Sequence, residues 1–449
     1  MGALICAGVL GCGGSSGYDK AWIAAEIGKG TGHDVRSVDE DGSRRNHEFA
    51  FAASLPKGVA STSALTEDDA VAIALWNSAQ LQADLAQIGF SRSDLADARA
   101  LPNPNLSFLF PIGTRQLELS AQYPVGALLQ RPFRVAVAKL DVERAARSLV
   151  QSGLDTTRDV RIAWAELEAS GHRKRLRRRA GDLMAKSAEL VRSRHLSGDV
   201  SALEADVLNA ESLGAEELAG RAVREENLAR TRLRMLLGLA SSPLGTTLDA
   251  RPSDPETSDP PPLEMLERTA LASRPELRAS ELAVEAAAER GGLEKAKLIQ
   301  LFARLDAKPT GSGGGPPLLW IPGVTADLPI FSQNPGGRER AAAELSRASW
   351  LYLVTRQQVL TDVRLAREEL TMASASRAPW ATSIVPLQER NVAAALRAYE
   401  AGAEPYLVVL DATRKLVDAN VRAVELGLDV RRARARLDRA VGWRIHAEH

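Results

Sequence analysis

Cysteine is absent from this 449-residue chain after its first dozen positions: Cys6 and Cys12 are the only two. The body therefore holds no disulfide and runs no thiol chemistry. Charge of one sign is absent as well, because 57 Lys and Arg balance 57 Asp and Glu. No overall basic field points to nucleic acid. Aromatics make up 4%, mean hydropathy is -0.16, and no apolar run is long enough for a membrane-spanning helix. A chain of this composition that crosses a membrane must do so with strands. The six histidines, His33, His47, His172, His195, His446 and His449, have no zinc or copper spacing. No nucleophile motif, phosphate-binding glycine loop or supported carboxylate pair occurs, so neither an enzyme nor a cofactor is expected.

What is present is a repeat. Gly198 and Gly238 bound a helical stretch, and Gly402 and Gly442 do the same 204 residues later. Leu75 and Leu81 recur as Leu271 and Leu277, shifted by 196. Duplicated sequence predicts duplicated architecture.

Each repeat opens on a helix signal. Thr66 followed by Glu67, Asp68 and Asp69 reads as an N-cap with acids in the first turn, and the helix is predicted to run to about Ala100, before Pro102 and Pro104. Strand signals follow. Leu117, Leu119, Ala121 and Tyr123 alternate with polar residues, and Ser107 to Phe110 can pair with them. In the second repeat Ile299, Leu301, Ala303, Leu305 and Ala307 share a face, and Val324, Ala326, Leu328 and Ile330 form the last candidate, after a Gly/Pro-rich loop from Gly311 to Pro317. Half-buried strands are the expectation.

Long helices come next. No proline occurs from Arg134 to His195, ~60 residues or roughly 90 Å at 1.5 Å per residue. Val359, Val363, Ala366, Leu370 and Ala373 follow 4-3-4-3 spacing, as do Val417, Val421, Val424 and Leu428, which predicts coiled-coil seams. Pro379 and Pro386 are expected to break the third long helix. Arg173 to Arg179 is a dense basic run without interleaved aromatics, expected on a solvated or inter-protomer face.

The predicted organisation is a signal peptide and lipobox at 1–12, an N-terminal tether without a core at 13–64, a first repeat at 65–238, a Pro-rich strap at 239–262, a second repeat at 263–442 and a tail at 443–449. Val9-Leu10-Gly11-Cys12 resembles a lipobox whose cysteine is lipidated, although no Lys or Arg precedes the apolar stretch; the plain alternative is a flexible, small-residue N-terminus. One acyl chain binds a membrane weakly, so a second attachment is expected. Four strands cannot close a barrel, and an open edge in a bilayer leaves backbone groups unsatisfied. Three copies would supply twelve strands.

Three segments resemble the outer membrane factor (TolC-like) family. The run from Gly402 through Pro405-Tyr406 to Arg414 looks like its helix-tip signature. The run from Asp327-Leu-Pro-Ile-Phe to Asn334-Pro-Gly-Gly-Arg338 resembles its strand-to-helix junction, and Gln122-Tyr-Pro followed by Arg134-Val-Ala-Val-Ala is the degenerate counterpart. The resemblance covers about 65–442. It implies an α+β membrane protein: a duplicated β-β-α-α repeat whose homotrimer forms a twelve-stranded outer-membrane β-barrel, continued into the periplasm by an α-helical coiled-coil barrel. It implies the exit duct of a tripartite efflux pump for cations or small toxic compounds, partnered by a periplasmic adaptor and an inner-membrane pump, favouring the RND type. The junction leans towards the heavy-metal cation efflux (CzcC-like) branch. A type I secretion duct, and a periplasmic coiled-coil scaffold or adaptor that spans no membrane, are the alternatives.

By the same resemblance, Asp411 matches an aspartate lining the periplasmic aperture, where three copies would form an acidic ring. The motif's neighbouring aspartate is Val408 here. Asp411 as a solvated surface carboxylate is the alternative. Tyr399 and Asp206 match a tyrosine and an aspartate that link helices near the aperture, while Glu404 stands where the accompanying arginine would be. Tyr399 as a packed tip aromatic is the alternative. The tips at Gly198 and Gly402 are expected to meet the adaptor.

Overall fold

A computed structural model describes residues 17–35, 53–60, 62, 64–110, 117–245, 248–251, 260–309 and 318–442. Cys12, most of the tether, the 252–259 part of the strap, the Gly311–Pro317 loop and the tail lie outside these residues. The chain divides into two units. One gathers the residues up to Ile23 with Ala83–Val150 and Pro275–Gln357; the other gathers Ala24–Gln82, Gln151–Arg274 and Gln358 onwards.

The tether is not wholly without a core. Helix α1 spans Lys20–Thr31, and Ile23 and Ile27 on it are fully buried. Asp19 starts it by accepting from the Trp22 N–H at 2.8 Å. Gly153 makes room for Ile27: a Cβ there would lie 2.7 Å from its Cδ1. The i,i+4 pair of isoleucines supplies the apolar stripe that the Gly/Ser-rich surroundings obscure.

The opening helix of each repeat is broken once. α2 (Glu67–Asn77) carries the predicted Thr66 cap, with a reciprocal capping box to Asp69. Ser78 then leaves helical geometry (φ -66°, ψ 108°), and α3 (Ala79–Arg99) follows. Asn77, the last residue of α2, is tied to Ser54, whose carbonyl accepts from its Nδ2 at 2.8 Å and whose N–H donates to its Oδ1 at 3.0 Å. In the second repeat α6 (Leu263–Ser273) and α7 (Pro275–Ala296) are separated at Arg274 (φ -67°, ψ 117°), the position 196 residues on from Ser78. The single helix expected to Ala100 is thus two in both repeats.

Strands β1 (Asn105–Leu109), β2 (Glu118–Tyr123), β3 (Gln300–Pro309) and β4 (Leu318–Asp327) form one antiparallel sheet in that order. The register sorts the side chains. Phe108 pairs with Leu119, Leu119 with Ala307, and Ala307 with Trp320; Leu106, Ala121, Leu305 and Pro322 form a second such row. Directly paired residues share a face, so these apolar rows stand together. Ser107, Ser120 and Asp306 stand on the other face, beside Arg304 and Gln122. The predicted alternation is therefore present, and β2 is half-buried along its length, but all of β1 and β4 is exposed. β1 and β4 are the edges of the sheet. The last strand also stops sooner than expected. The ladder ends at Gln300 opposite Asp327, and Leu328 and Ile330 lie beyond it in a tight turn around Pro329.

After β2 the chain enters α4 (Gly126–Leu196), 71 residues that start well before Arg134 and include Pro132. α5 (Ala202–Leu236) returns. In the second repeat α8 (Pro335–Pro379) passes through a π turn at Trp380–Ile384 into α9 (Val385–Glu400), and α10 (Tyr406–Val441) returns. The prolines widen this helix rather than sever it. Val385 N–H reaches back to Trp380, five residues away, which absorbs the bond that Pro379 and Pro386 cannot make. The seam residues Val359, Val363, Ala366 and Leu370 are buried, as are Val421 and Leu428.

Ion pairs stitch the helices of the second unit together. Arg432 meets Glu166 at 2.7 Å, Arg439 meets Asp155 at 2.7 Å, and Arg431 meets Glu168. Buried Arg161 is held by Asp438 at 2.9 Å and Glu67 at 3.2 Å. Half of the basic run is partnered within the chain, Lys174 with Glu226 at 2.6 Å, Arg177 with Asp418 at 3.0 Å and Arg173 with Glu225 at 3.8 Å, while Arg175, Arg178 and Arg179 are exposed. The strap is anchored too. Leu239 and Leu248 are fully buried, and Ala250 bridges to Leu65. Among the described residues no helix is long and apolar enough to cross a membrane.

Candidate functional site at the helix tips

The α4–α5 and α9–α10 turns are built alike. Gly198 adopts φ 86° and Gly402 φ 72°, the left-handed geometry that ends a helix in a reversal. Gly198 N–H bonds His195 O at 2.9 Å and Asp199 N–H bonds Arg194 O at 3.0 Å. Gly402 N–H bonds Tyr399 O at 2.9 Å and Ala403 N–H bonds Ala398 O at 2.9 Å, each acceptor 204 residues on. The exits differ. Ser201 caps α5 by accepting from Glu204 N–H, whereas α10 starts at Pro405 without a side-chain cap.

The two tips touch. Tyr399 packs edge-on to Tyr406, with centroids 5.2 Å apart. The Tyr406 hydroxyl lies 2.5 Å from Ser187 Oγ on α4. The Tyr399 hydroxyl accepts from Arg194 Nη1 at 3.3 Å. Beneath these contacts Met184, Val191, Leu208 and Leu410 form a buried cluster on which Tyr406 packs.

This arrangement gives Tyr399 a partner other than the expected one. Asp206 is exposed and has no hydrogen bond or ion pair among the described residues. Tyr399 is instead served by Arg194, and the arginine missing at Glu404 is in effect supplied by the other tip. Arg194 and Ser187 carry no signal in the sequence, and Tyr406 only that of the tip signature, because each acquires its role from a residue about 200 positions away. Helical spacing reports only the near neighbours.

Asp411 is exposed on α10. Lys415, one turn on, lies 2.7 Å from its carboxylate. That hydrogen bond holds the Asp411 carboxyl below the usual carboxylate range, with Lys415 and Arg414 adding attraction. Asp411 also lines a groove of about 750 Å³ with Met184, Val207, Leu407, Leu410 and Arg414. Arg414 in turn pairs with Glu211 at 3.3 Å. No group of three or more His, Cys, Asp or Glu placed to hold a metal ion occurs among the described residues.

Residues 266–443 match the family described as Outer membrane efflux protein. Over 389 residues, 84% of this chain and 90% of the relative, the sequence is 25% identical to the cobalt-zinc-cadmium resistance protein CzcC of Cupriavidus metallidurans. The fold is that of solved structures that include outer-membrane channels. A membrane protein from Pseudomonas aeruginosa superposes with a TM-score of 0.70 at 19% identity, covering 84% of this chain and 92% of that one. CusC does so at 0.71 and 16%, covering 86% and 95%. VceC of Vibrio cholerae does so at 0.69 and 18%, covering 84% and 96%. The resemblance to outer membrane factors is thereby borne out, and so is the α+β class.

Proposed function

We propose that this chain is one protomer of an outer-membrane exit duct in a tripartite efflux system, extending into the periplasm. The carrying observation is the sheet: four strands with one apolar face and two open edges, each strand pair running into a long helical hairpin. In a bilayer such edges must be paired, so a homotrimer of twelve strands closes the barrel, apolar face to lipid and polar face to the lumen. An export duct needs no catalytic group and no cofactor. Cys12 carries lipid as the second attachment to the outer membrane. The tips at Gly198 and Gly402 meet a periplasmic adaptor, which joins the duct to an inner-membrane pump of the RND type. Asp411 and the Tyr399 tie belong to the aperture.

For cargo, the likeness to CzcC favours metal cations such as those of cobalt, zinc and cadmium. The test is paired. The purified protein in a planar bilayer should give ohmic single-channel steps, and deletion of its gene should sensitise the host to these cations. Channels without metal sensitivity would move the cargo to other small toxic compounds or to a secreted protein. Release from membranes by carbonate washing, with no conductance, would make the chain a periplasmic scaffold.

A further inference from the structure

We propose that the groove beside Asp411 binds a drug-sized, largely apolar molecule with one positive group, and that this ligand holds the helix tips together. The site belongs to three helices of a single chain. Its link to an aperture rests on the duct reading.

The groove lies within the second unit, where α4 supplies Ala180 and Met184 and the facing stretches of α5 and α10 supply the walls. Its volume of about 750 Å³ falls inside the roughly 300–1,000 Å³ of small-molecule sites. The lining runs from Val207 to Leu218 on α5 and from Leu407 to Asp418 on α10, about 16 Å on each at 1.5 Å per residue. Met184 and Leu410 are buried in it, whereas Val207, Leu218 and Leu407 are 40%, 37% and 51% exposed. Both walls thus leave apolar surface in water, which a ligand of like character would cover. Gly214 widens the space, because nothing lies within 4 Å of a Cβ added there.

Charge selects the occupant. Arg414 on α10 pairs with Glu211 on α5 at 3.3 Å, directly from wall to wall, and Arg177 on α4 pairs with Asp418 on α10 at 3.0 Å. Walls within reach of one ion pair leave a slot. A helix, about 10–12 Å across with its side chains, would have to break that pair to enter, and a flat molecule would not. The lining holds three carboxylates, Glu211, Asp411 and Asp418, and two guanidiniums, so a positive group is favoured over a negative one. Lys415 engages Asp411, but an ionised carboxylate accepts from several donors and keeps room for a second.

The buried end of the groove is the base of the tip contacts. Met184 and Leu410 line the groove and also belong to the cluster on which Tyr406 packs. Ser187, 2.5 Å from the Tyr406 hydroxyl, is three residues beyond Met184. Both hairpins contribute walls, so the site exists only while they stand together. A ligand that binds only that arrangement favours it.

Tetraphenylphosphonium, an apolar cation, is the probe, with the full chain in lipid nanodiscs. Expected is saturable binding by equilibrium dialysis, weakened 10-fold or more by Gly214→Phe, which fills the groove, and several-fold by Glu211→Gln. In a planar bilayer the probe should lower the basal conductance of the wild type at least 2-fold and leave that of Gly214→Phe unmoved. Binding that does not saturate, or that is equal in Gly214→Phe, is partition into lipid and overturns the site. With Cys6 and Cys12 replaced by serine, Val207→Cys is the sole thiol; its protection from a maleimide without probe would put another protein surface in the groove and overturn the site as well. Saturable binding that leaves wild-type conductance unchanged overturns the hold on the tips. Saturable binding by a protein that forms no channel keeps the site and overturns the duct. If Gly214→Phe fails to fold, Gly214→Leu carries the same comparison.

Discussion

Arg194 donates a hydrogen bond to the hydroxyl of Tyr399 across 3.3 Å, joining the last turn of α4 to the last turn of α9. Both side chains belong to helix ends that stop within four residues, at Gly198 and Gly402. The contact therefore ties one tip to the other, and the Tyr399–Tyr406–Ser187 contacts run beside it. Arg194 is exposed, so water competes for the bond and its net worth is small, of order 0.5–1.5 kcal/mol. A tie of that strength would suit the aperture proposed here, which must open and close.

Tyr399→Phe and Arg194→Ala should each loosen the tip and raise basal conductance in a planar bilayer. The hydrogen-bond range corresponds to roughly 2- to 10-fold in an opening equilibrium. Because both variants remove the same bond, the double variant should add little to either single one. Asp206→Asn should leave conductance unchanged. A response of Asp206→Asn that is non-additive with Tyr399→Phe would reinstate the link expected from the family motif.

The tip and base glycines should respond differently to alanine. At Gly402 nothing lies within 4 Å of an added Cβ, so only the left-handed backbone (φ 72°) resists, at about 1–2 kcal/mol. At Gly238 the same strain (φ 67°) is joined by a Cβ 2.2 Å from the carbonyl oxygen of Asn77. Backbone cannot rotate aside, so crowding adds about 1–3 kcal/mol. Thermal unfolding should therefore fall much further for Gly238→Ala than for Gly402→Ala. Equal losses would mean that the approach of Gly238 to Asn77 relaxes freely.

The duplication was the most legible part of the sequence, because it reports on backbone geometry that recurs. Gly198, Gly238, Gly402 and Gly442 all adopt positive φ, and Gly238 sits on Asn77 as Gly442 sits on Ser273, 196 residues after Asn77. Strand faces and coiled-coil seams were legible for the same reason: period 2 and period 3.5 are local. The full exposure of β1 and β4 was not, because alternation tells which residues share a face and not what covers it. Helix α1 was hidden by its polar surroundings, with only Ile23 and Ile27 to mark it. At the tips, Tyr399 could be matched by motif, but its partner Arg194 could not.

Oligomeric state and adaptor contact should be readable together. In detergent the folded protein should have three times the 48.2 kDa mass of the chain, since β1 and β4 leave open edges. Photo-crosslinkers at Ser197 and Ala401 should capture a periplasmic adaptor. A stable monomer with full strand content would overturn the closed barrel, and capture only from strand-loop positions such as Ser312 would reverse the proposed orientation.

The final prediction concerns charge at the aperture. Asp411 bonds its own neighbour Lys415 at 2.7 Å, so each protomer presents a pair rather than a bare carboxylate. Asp411→Asn leaves Lys415 uncompensated, and the channel should lose cation preference and weaken in block by multivalent cations. Lys415→Ala should do the reverse, by unmasking three carboxylates. The pH dependence separates two environments. Held by Lys415, Asp411 is lowered, so it stays ionised as pH falls through the ordinary carboxylate range, and cation preference should persist there. With Lys415 removed, carboxylates that face one another across a narrow pore raise each other's pKa, and preference should be lost at higher pH. Reversal potentials in a salt gradient, titrated for wild type and both variants, read all of this. If neither substitution moves the reversal potential at any pH, Asp411 does not face the pore and is a solvated residue of the helix surface.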